Sequence, residues 1–498
     1  MNDLLDDLYI FEMANNHQGS VEHGLAIVDA AARVARTQKI HAAVKLQFRD
    51  LDTFIHTDFK GRSDVAHLPR FESTRLEKDE LRQLTDAIRD QGLATVATPF
   101  DEASVGTCLD LGVQVIKVAS CSATDWPLLE AIARARKPVI ASTGGLSIFD
   151  IDNLVSFFRK RVPSFALMHC VSLYPTPNEQ MALNFMEKMI RRYPYVRVGY
   201  SGHEAPDNTE VAVAAVAKGA RLLERHVGVP TETVELNAYS MNPEQMEQWV
   251  LAAERARSMC GTDARKHVGQ DELDSLRSLQ RGVYAKKPIK KGSPVESADV
   301  FFAMPCQAGQ LTSGEFGHLR AHYNASKDYN VNEAIYEKPA ADQISQLRGI
   351  LHDAKGLIFE AGIVLGDDYQ IEISHHYGLE SFRQTGCILV NLINREYAEK
   401  LIIQLPSQNH PPHHHQRKEE TFRLLWGDLE VDLNGDAVQM VPGDSLLIQR
   451  GDVNGFSTVG GAIVQEISTT HIVGDSYYED PRIRELDPMQ RKTILESW

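Results

Sequence analysis

Residues 8–48 read LYIFEMANNHQGSVEHGLAIVDAAARVARTQKIHAAVKLQF. Leu8–Met13 is a short apolar run, a polar break NNHQGS follows, and EHGLAIVDAAARVAR is an amphipathic helical stretch. A second apolar run, Ala42–Phe48, closes the unit. Strand, helix and strand in that order predict two parallel strands joined by a crossover helix. The pattern then recurs. Apolar runs at Ala94–Thr98, Val113–Ala119, Pro138–Ser142, Phe165–Cys170, Val196–Tyr200 and Arg221–His226 alternate with stretches such as KDELRQLTDAIRDQG, WPLLEAIARAR and DIDNLVSFFRKR. Such a series over roughly 230 residues predicts a (β/α)8 TIM barrel. An open doubly wound sheet fits less well, because no G-x-G-x-x-G follows the first strand and polar residues cluster at the ends of the runs.

At 498 residues the chain is too long for one ordinary domain. Beyond about residue 260 the pattern changes. RSLQRGVYAKKPIKKGSPVESADVFFAMPC reads as short strands with a Lys-Lys-Gly turn, a small β-rich domain. From about residue 345, β-type runs dominate (YQIEIS, CILVNLI, KLIIQL, DLEVDL, DSLLIQ, AIVQEIS), which predicts an antiparallel barrel or jelly roll. The expected domains are 1–262, 263–338 and 339–498.

A formal charge of -16 argues against nucleic acid as a partner, although an anionic small substrate needs only a local basic cleft. The six cysteines form no C-x-x-C pair, and the acidic N-terminus MNDLLDDLYIFEM lacks the basic region of a signal peptide. No apolar run approaches the ~20 residues that span a bilayer. A reduced cytoplasmic protein with no membrane partner is expected.

Barrel enzymes place chemistry where strands end. In order, those positions hold Glu12 with Asn15-Asn16-His17, then Lys45 and Gln47, then Thr98, then Lys117 and Ser120, then Ser142. They continue with His169, Ser172 and Tyr174, then Ser201 and His203, then His226. Two lysines at equivalent strand ends, among several hydroxyls, fit an anionic carboxylate or phosphate. His203 and His226 end adjacent strands, so their imidazoles can converge on one divalent metal.

These segments carry a resemblance. FEMANNHQGSVEHGLAIVDAA resembles the opening E-I-x-x-N-H-x-G segment of the N-acetylneuraminate (sialic acid) synthase family, and VKLQF, ATPFD, IKVAS, STGG, HCVSLYPTP, YSGHE and ERH follow in that family's order. The strands around Lys286–Val300 resemble the family's antifreeze-like (SAF) domain. The resemblance implies an enzyme that condenses phosphoenolpyruvate with an open-chain aldose to a 3-deoxy-2-ulosonic acid and phosphate. Lys45, Thr98, Lys117, Ser120, Ser142 and Ser201 would then bind phosphoenolpyruvate, with Asn16 and Ser172 as further substrate-binding candidates. His203 and His226 would hold Mn2+ or Mg2+, and Glu12, Gln47 and Tyr174 would face the reacting centre and the sugar. It also implies a homodimer in which Arg281 reaches the neighbouring subunit's site. The chain departs from the family at Gly202, where Asp is common, and at VGVPTETVELNAYSMNPEQ, where a G-P-D-H segment is expected.

A second constellation lies in HPPHHHQRKEETFRLLWG. His413-x-His415-x4-Glu420-x6-Gly427 is the first motif of a cupin, and His413-x-His415-x-x-Lys418-x-Glu420 resembles the cupin D-lyxose isomerases. His413, His415 and Glu420 would hold a second divalent metal. The second cupin motif keeps Pro442-Gly443-Asp444 but has Asn454 where a histidine ligand usually stands. Two other readings compete with the synthase alone: a metal-dependent pyruvate aldolase, and a bifunctional synthase and sugar isomerase using the cupin.

Overall fold

The computed structural model describes residues 4–261, 269–317, 322–337 and 343–496. The chain divides into two compact units, Met1–Asp263 and Ala264–Trp498. The expected domain boundaries at 262/263 and 338/339 lie outside the described residues.

The first unit is a closed parallel barrel of β1 (Tyr9–Glu12), β2 (Ala42–Phe48), β3 (Ala94–Pro99), β4 (Val115–Val118), β5 (Val139–Ser142), β6 (Phe165–Cys170), β7 (Arg197–Gly202) and β8 (Leu223–His226). The expected TIM barrel is therefore present, with strand ends shifted by one or two residues. The helices form for local reasons. Ser20 caps Val21–Gln38 by accepting from the His23 N–H, and Ser147 and Asp150 form a capping box on Ile148–Phe158. Apolar helix faces pack on the outside of the strands to make the main core. Inside the barrel, Leu8, Ile10, Ala43, Val96, Val115, Ile140, Met168 and Leu222 fill its lower half. The upper half is left to polar side chains. Register sets their level, with Glu12 paired to Lys45 on one side and to His226 on the other, and Gln47 opposite Thr98.

In the second unit a helix, Gln270–Leu279, precedes an antiparallel pair, β9 (Gly282–Ala285) and β10 (Val300–Ala303), whose core holds Val283, Ile289, Val295, Leu311 and Ile335. Gly292, in the expected Lys-Lys-Gly turn, has φ +80, a conformation that favours glycine. Twelve further strands follow, named in chain order: β11 (Gln370–His375), β12 (Gly386–Asn394), β13 (Tyr397–Gln404), β14 (Asn409–His415), β15 (Glu420–Gly427) and β16 (Leu429–Leu433), then β17 (Asp436–Met440), β18 (Ser445–Ile448), β19 (Asn454–Ser457), β20 (Ala462–Thr469), β21 (Ser476–Tyr478) and β22 (Lys492–Leu495). They form a seven-stranded sheet, β18-β15-β20-β13-β12-β11-β22, and a five-stranded sheet, β17-β16-β19-β14-β21. The expected antiparallel barrel or jelly roll is thus found as two antiparallel sheets, with one correction. Gln343–Glu360, read as part of the β-rich region, is a helix, whose Ile350, Ala354, Leu357 and Ile358 recur at helical spacing and bury against β11–β13.

Gly199 shows how tight the barrel interior is: a Cβ there would overlap the Leu222 carbonyl just before β8 and lie 2.7 Å from Met168 Sδ. Gly106, exposed in the helix Glu102–Asp110, has open space around it. Gly199→Ala should destabilise the barrel by about 1–3 kcal/mol through overpacking. Gly106→Ala should stabilise it by roughly 0.5–1 kcal/mol, because alanine loses less backbone entropy in a helix. Denaturant midpoints of the two variants check this, and shifts of the same sign would contradict it.

Candidate functional site

The barrel mouth is organised around one carboxylate, which the sequence reading did not single out. Glu224 on β8 is buried and accepts from three donors: Lys45 Nζ (2.9 Å to Oε1), Lys117 Nζ (2.8 Å to Oε2) and Ser201 Oγ (2.9 Å to Oε1). Lys45 Nζ also lies 2.5 Å from Glu12 Oε2, and Gln47 Nε2 donates to Glu12 Oε1 (3.1 Å). Two ammonium groups and two carboxylates therefore sit together out of water, on strands from four parts of the chain. Burial would raise Glu224, but Lys117 and Lys45 hold its carboxyl well below the usual carboxylate range. Burial pushes Lys45 down to about 8, with Glu224 opposing the shift and Lys117 adding to it.

The histidines stand beside this cluster. The rings of His203 and His226 are 5.3 Å apart, with the Tyr174 ring tilted against His203 at 4.2 Å and Tyr239 edge-on to His226 at 5.0 Å. His203 Nδ1 is 3.0 Å from the Val171 carbonyl, which can only accept, so Nδ1 carries the proton and Nε2 keeps its lone pair. Burial lowers His203 to about 4, and burial together with His203 lowers His226 well below its ordinary value. Both rings are neutral at neutral pH, the form that ligates a divalent cation. Tyr239 comes from the segment where the chain departs from the family pattern, and sequence reasoning missed it.

Hydroxyls close the other side. Ser120 Oγ accepts from the Gly144 N–H (3.0 Å), and a Cβ on Gly144 would overlap Ser172 Oγ and lie 2.8 Å from Ser120 Oγ. Ser120 and Ser172 therefore converge on the glycine turn after β5, next to buried Ser142. Thr98 Oγ1 is buried with no hydrogen-bond partner. Asn16 spends its amide on the Val227 carbonyl (2.8 Å) and Ser240 Oγ (3.0 Å), which ties the β1 loop to the segment after β8. His17 and His169 are buried away from the His203–His226 pair: the N–H of Gly19 donates to His17 Nδ1, and His169 Nε2 meets the Met181 carbonyl. Gly202 has a structural cause, because a side chain there would overlap the Glu204 carboxylate. That carboxylate is held by Arg225 (2.5 Å) and Tyr200 OH (2.9 Å), a buried brace between β7 and β8. Arg281 belongs to the second unit, where its guanidinium lies 5.9 Å over the Phe302 ring.

In the second unit the cupin residues line a cavity of about 90 Å3. His415 Nε2 is 3.4 Å from Glu420 Oε1, and the His413 and His415 rings are 5.1 Å apart. Lys418, however, pairs with Glu420 and also with Glu466 (3.0 Å). Asn454 turns its amide toward the His413 carbonyl (3.4 Å). Burial would lower Lys418, but Glu466 and Glu420 raise its pKa above the ordinary value.

With this geometry in place, the comparisons with known proteins can be read. Residues 27–265 match the NeuB family model, and residues 401–467 match a cupin domain model. The crystal structure of a protein described as spore coat polysaccharide biosynthesis protein E of Chromobacterium violaceum is 44% identical, covers 67% of this chain and 99% of its own, and superposes with a TM-score of 0.65. The N-acetylneuraminate-9-phosphate synthase of Drosophila melanogaster is 27% identical over 63% of this chain and 91% of its own length. The N,N'-diacetyllegionaminic acid synthase of Campylobacter jejuni is 24% identical over 66% and 99%. The chain belongs to the NeuB family of sugar acid synthases, enzymes of the transferase class, and carries a cupin domain in its C-terminal half.

Proposed function

We propose that the barrel condenses phosphoenolpyruvate with an open-chain aldose, giving a 3-deoxy-2-ulosonic acid of the sialic acid type and inorganic phosphate. The observation that supports it best is the buried Lys45–Glu224–Lys117 cluster beside two neutral imidazoles, in a chain of this family. Lys45 and Lys117 meet the carboxylate and phosphate of the donor, and the hydroxyls of Thr98, Ser120, Ser142, Ser172 and Ser201 orient it. His203 and His226 would hold a divalent ion, Mn2+ or Mg2+, whose chemistry is Lewis-acid polarisation of the aldehyde. Carbon 3 of phosphoenolpyruvate forms the new bond to the aldehyde carbon, which leaves positive charge at carbon 2. Glu12 faces that charge and orients the water that captures it, and the bond to phosphate then breaks. Tyr174 and Gln47 bound the sugar side, and Asn16 keeps the loop after β8 in place. Phosphate release separates this reaction from that of a pyruvate aldolase, which has none to release.

The same reading makes the protein a cytoplasmic homodimer in which Arg281 serves the neighbouring subunit's barrel. Among the described residues no helix is long and apolar enough to cross a membrane. The charged cupin cavity is read as a second sugar-handling site. Its coupling to the barrel is tested by cutting the chain near residue 340 and assaying both pieces on the same aldose.

His203→Ala and His226→Ala should each abolish phosphate release from phosphoenolpyruvate and aldose while leaving the circular dichroism spectrum unchanged. Near-normal turnover by either variant would remove the metal assignment. Lys45 binds the donor as the ammonium, so kcat/KM for phosphoenolpyruvate should fall as pH rises through about 8, the value to which burial lowers it. Lys45→Arg, slower overall, should lack that limb, because a guanidinium stays charged; a limb with the same midpoint in the variant would refute the role. Arg281→Ala should be weakly active alone and regain activity when mixed with His203→Ala, since one mixed site then has both groups. No recovery in a verified mixed dimer would exclude the cross-subunit arrangement.

A further inference from the structure

One cluster in the second unit belongs to neither motif. His376 follows β11, Cys387 lies on β12 and His410 lies on β14. Their ligand atoms (imidazole nitrogens and thiol sulfur) all fall within 4.8 Å of one another. All three are buried, at 1%, 1% and 6% exposure. We propose that His376, Cys387 and His410 form a binding site for a borderline-soft divalent cation of the zinc class, in the same cavity as His413, His415 and Glu420 but with its own three ligands.

Four observations carry this. First, the donor set of two imidazoles and one thiolate suits zinc, and Mg2+ prefers an all-oxygen shell. Second, His410 Nδ1 is 3.1 Å from the Pro411 carbonyl, an acceptor only, so its Nε2 is left with a free lone pair. Third, His376 Nδ1 is buried with no hydrogen-bond partner, an arrangement that a packed core avoids unless something else satisfies the atom. Fourth, the usual cupin set is compromised: Lys418 sits against Glu420 Oε1, leaving only Oε2 unpartnered, and Asn454 replaces an imidazole. A cation bound there would sit beside an ammonium group, whereas the ligands of the His376 group carry none. The nearest further imidazole is His413, whose ring is 4.8 Å from that of His410 and whose Nδ1 is also unpartnered.

Bonds of about 2.0–2.3 Å to the metal require the three side chains to draw together by about an ångström from their present spacing. Binding converts the Cys387 thiol to a metal-bound thiolate and releases its proton to solvent. Burial raises the thiol's pKa, so without metal it stays protonated and unreactive. Because β11 and β12 belong to the seven-stranded sheet and β14 to the five-stranded one, the ion would cross-link the two sheets.

The test uses the full chain carrying His203→Ala and His226→Ala, so that any ion in the barrel is absent. Reconstituted with Co2+, it should bind about one ion per chain and show a thiolate-to-cobalt charge-transfer band in the near ultraviolet. Adding Cys387→Ser should abolish the band, adding His376→Ala should weaken binding at least tenfold, and Glu420→Gln should leave both intact. If the serine variant fails to fold by circular dichroism, Cys387→Ala is read instead. A folded chain without a thiolate band overturns the proposal. So does a band that survives both Cys387 substitutions, or an ion lost with Glu420→Gln but kept in the Cys387 variants.

Discussion

Two ammonium groups around one buried carboxylate are the constraint on which the barrel depends. Lys45 lies in the middle of β2 and Lys117 near the end of β4, and both reach Glu224 on β8. Removing one partner of such a cluster leaves an uncompensated charge out of water, which typically costs about 3–5 kcal/mol. That penalty ties together strands far apart in sequence and keeps the upper half of the barrel polar while its lower half is filled with aliphatic side chains. It also explains the neutrality of the site: Glu12 and Glu224 balance the two lysines.

Strand register does the rest. Side chains alternate along a strand, so a one-residue slip of β2 would turn Lys45 and Gln47 outward together. The level pairing of Glu12 with Lys45 and His226 rules that slip out, because the buried ion pair would be lost with it. At the β7–β8 corner the fixing device is the Arg225–Glu204–Tyr200 group, whose carboxylate fills the space above Gly202. His203 is thereby held next to His226, with its Nδ1 proton directed at the Val171 carbonyl.

The strands and most of the first site were legible because both are local signals: apolar runs mark the barrel strands, and the polar residue ending each run marks its mouth. Glu224 in the run Glu224-Arg225-His226 is not legible from sequence, because nothing in spacing tells a carboxylate that anchors two lysines from one that faces solvent. Tyr239 was hidden in a long irregular loop whose sequence departs from the family. The helix Gln343–Glu360 was missed because the region was judged by the density of later β-type runs, although Ile350, Ala354, Leu357 and Ile358 already show a 3.6-residue period. His376 follows β11, Cys387 lies on β12 and His410 on β14, and they share no motif, so only folding brings them together.

The two units use buried lysines in opposite ways, and the difference says what each can accept. In the barrel, burial is the largest influence on Lys45 and its carboxylate neighbours do not recover the loss, so the pKa falls. Such an ammonium gains from a further anion, which is what a phosphorylated carboxylic acid supplies. In the cupin, Glu420 and Glu466 outweigh the burial of Lys418 and its pKa rises. That lysine is already satisfied by Glu466 and by Glu420 Oε1. Asn454, where an imidazole usually stands in a cupin, agrees with this: Lys418 sits against Glu420, and the Asn454 amide hydrogen-bonds the backbone carbonyl of His413.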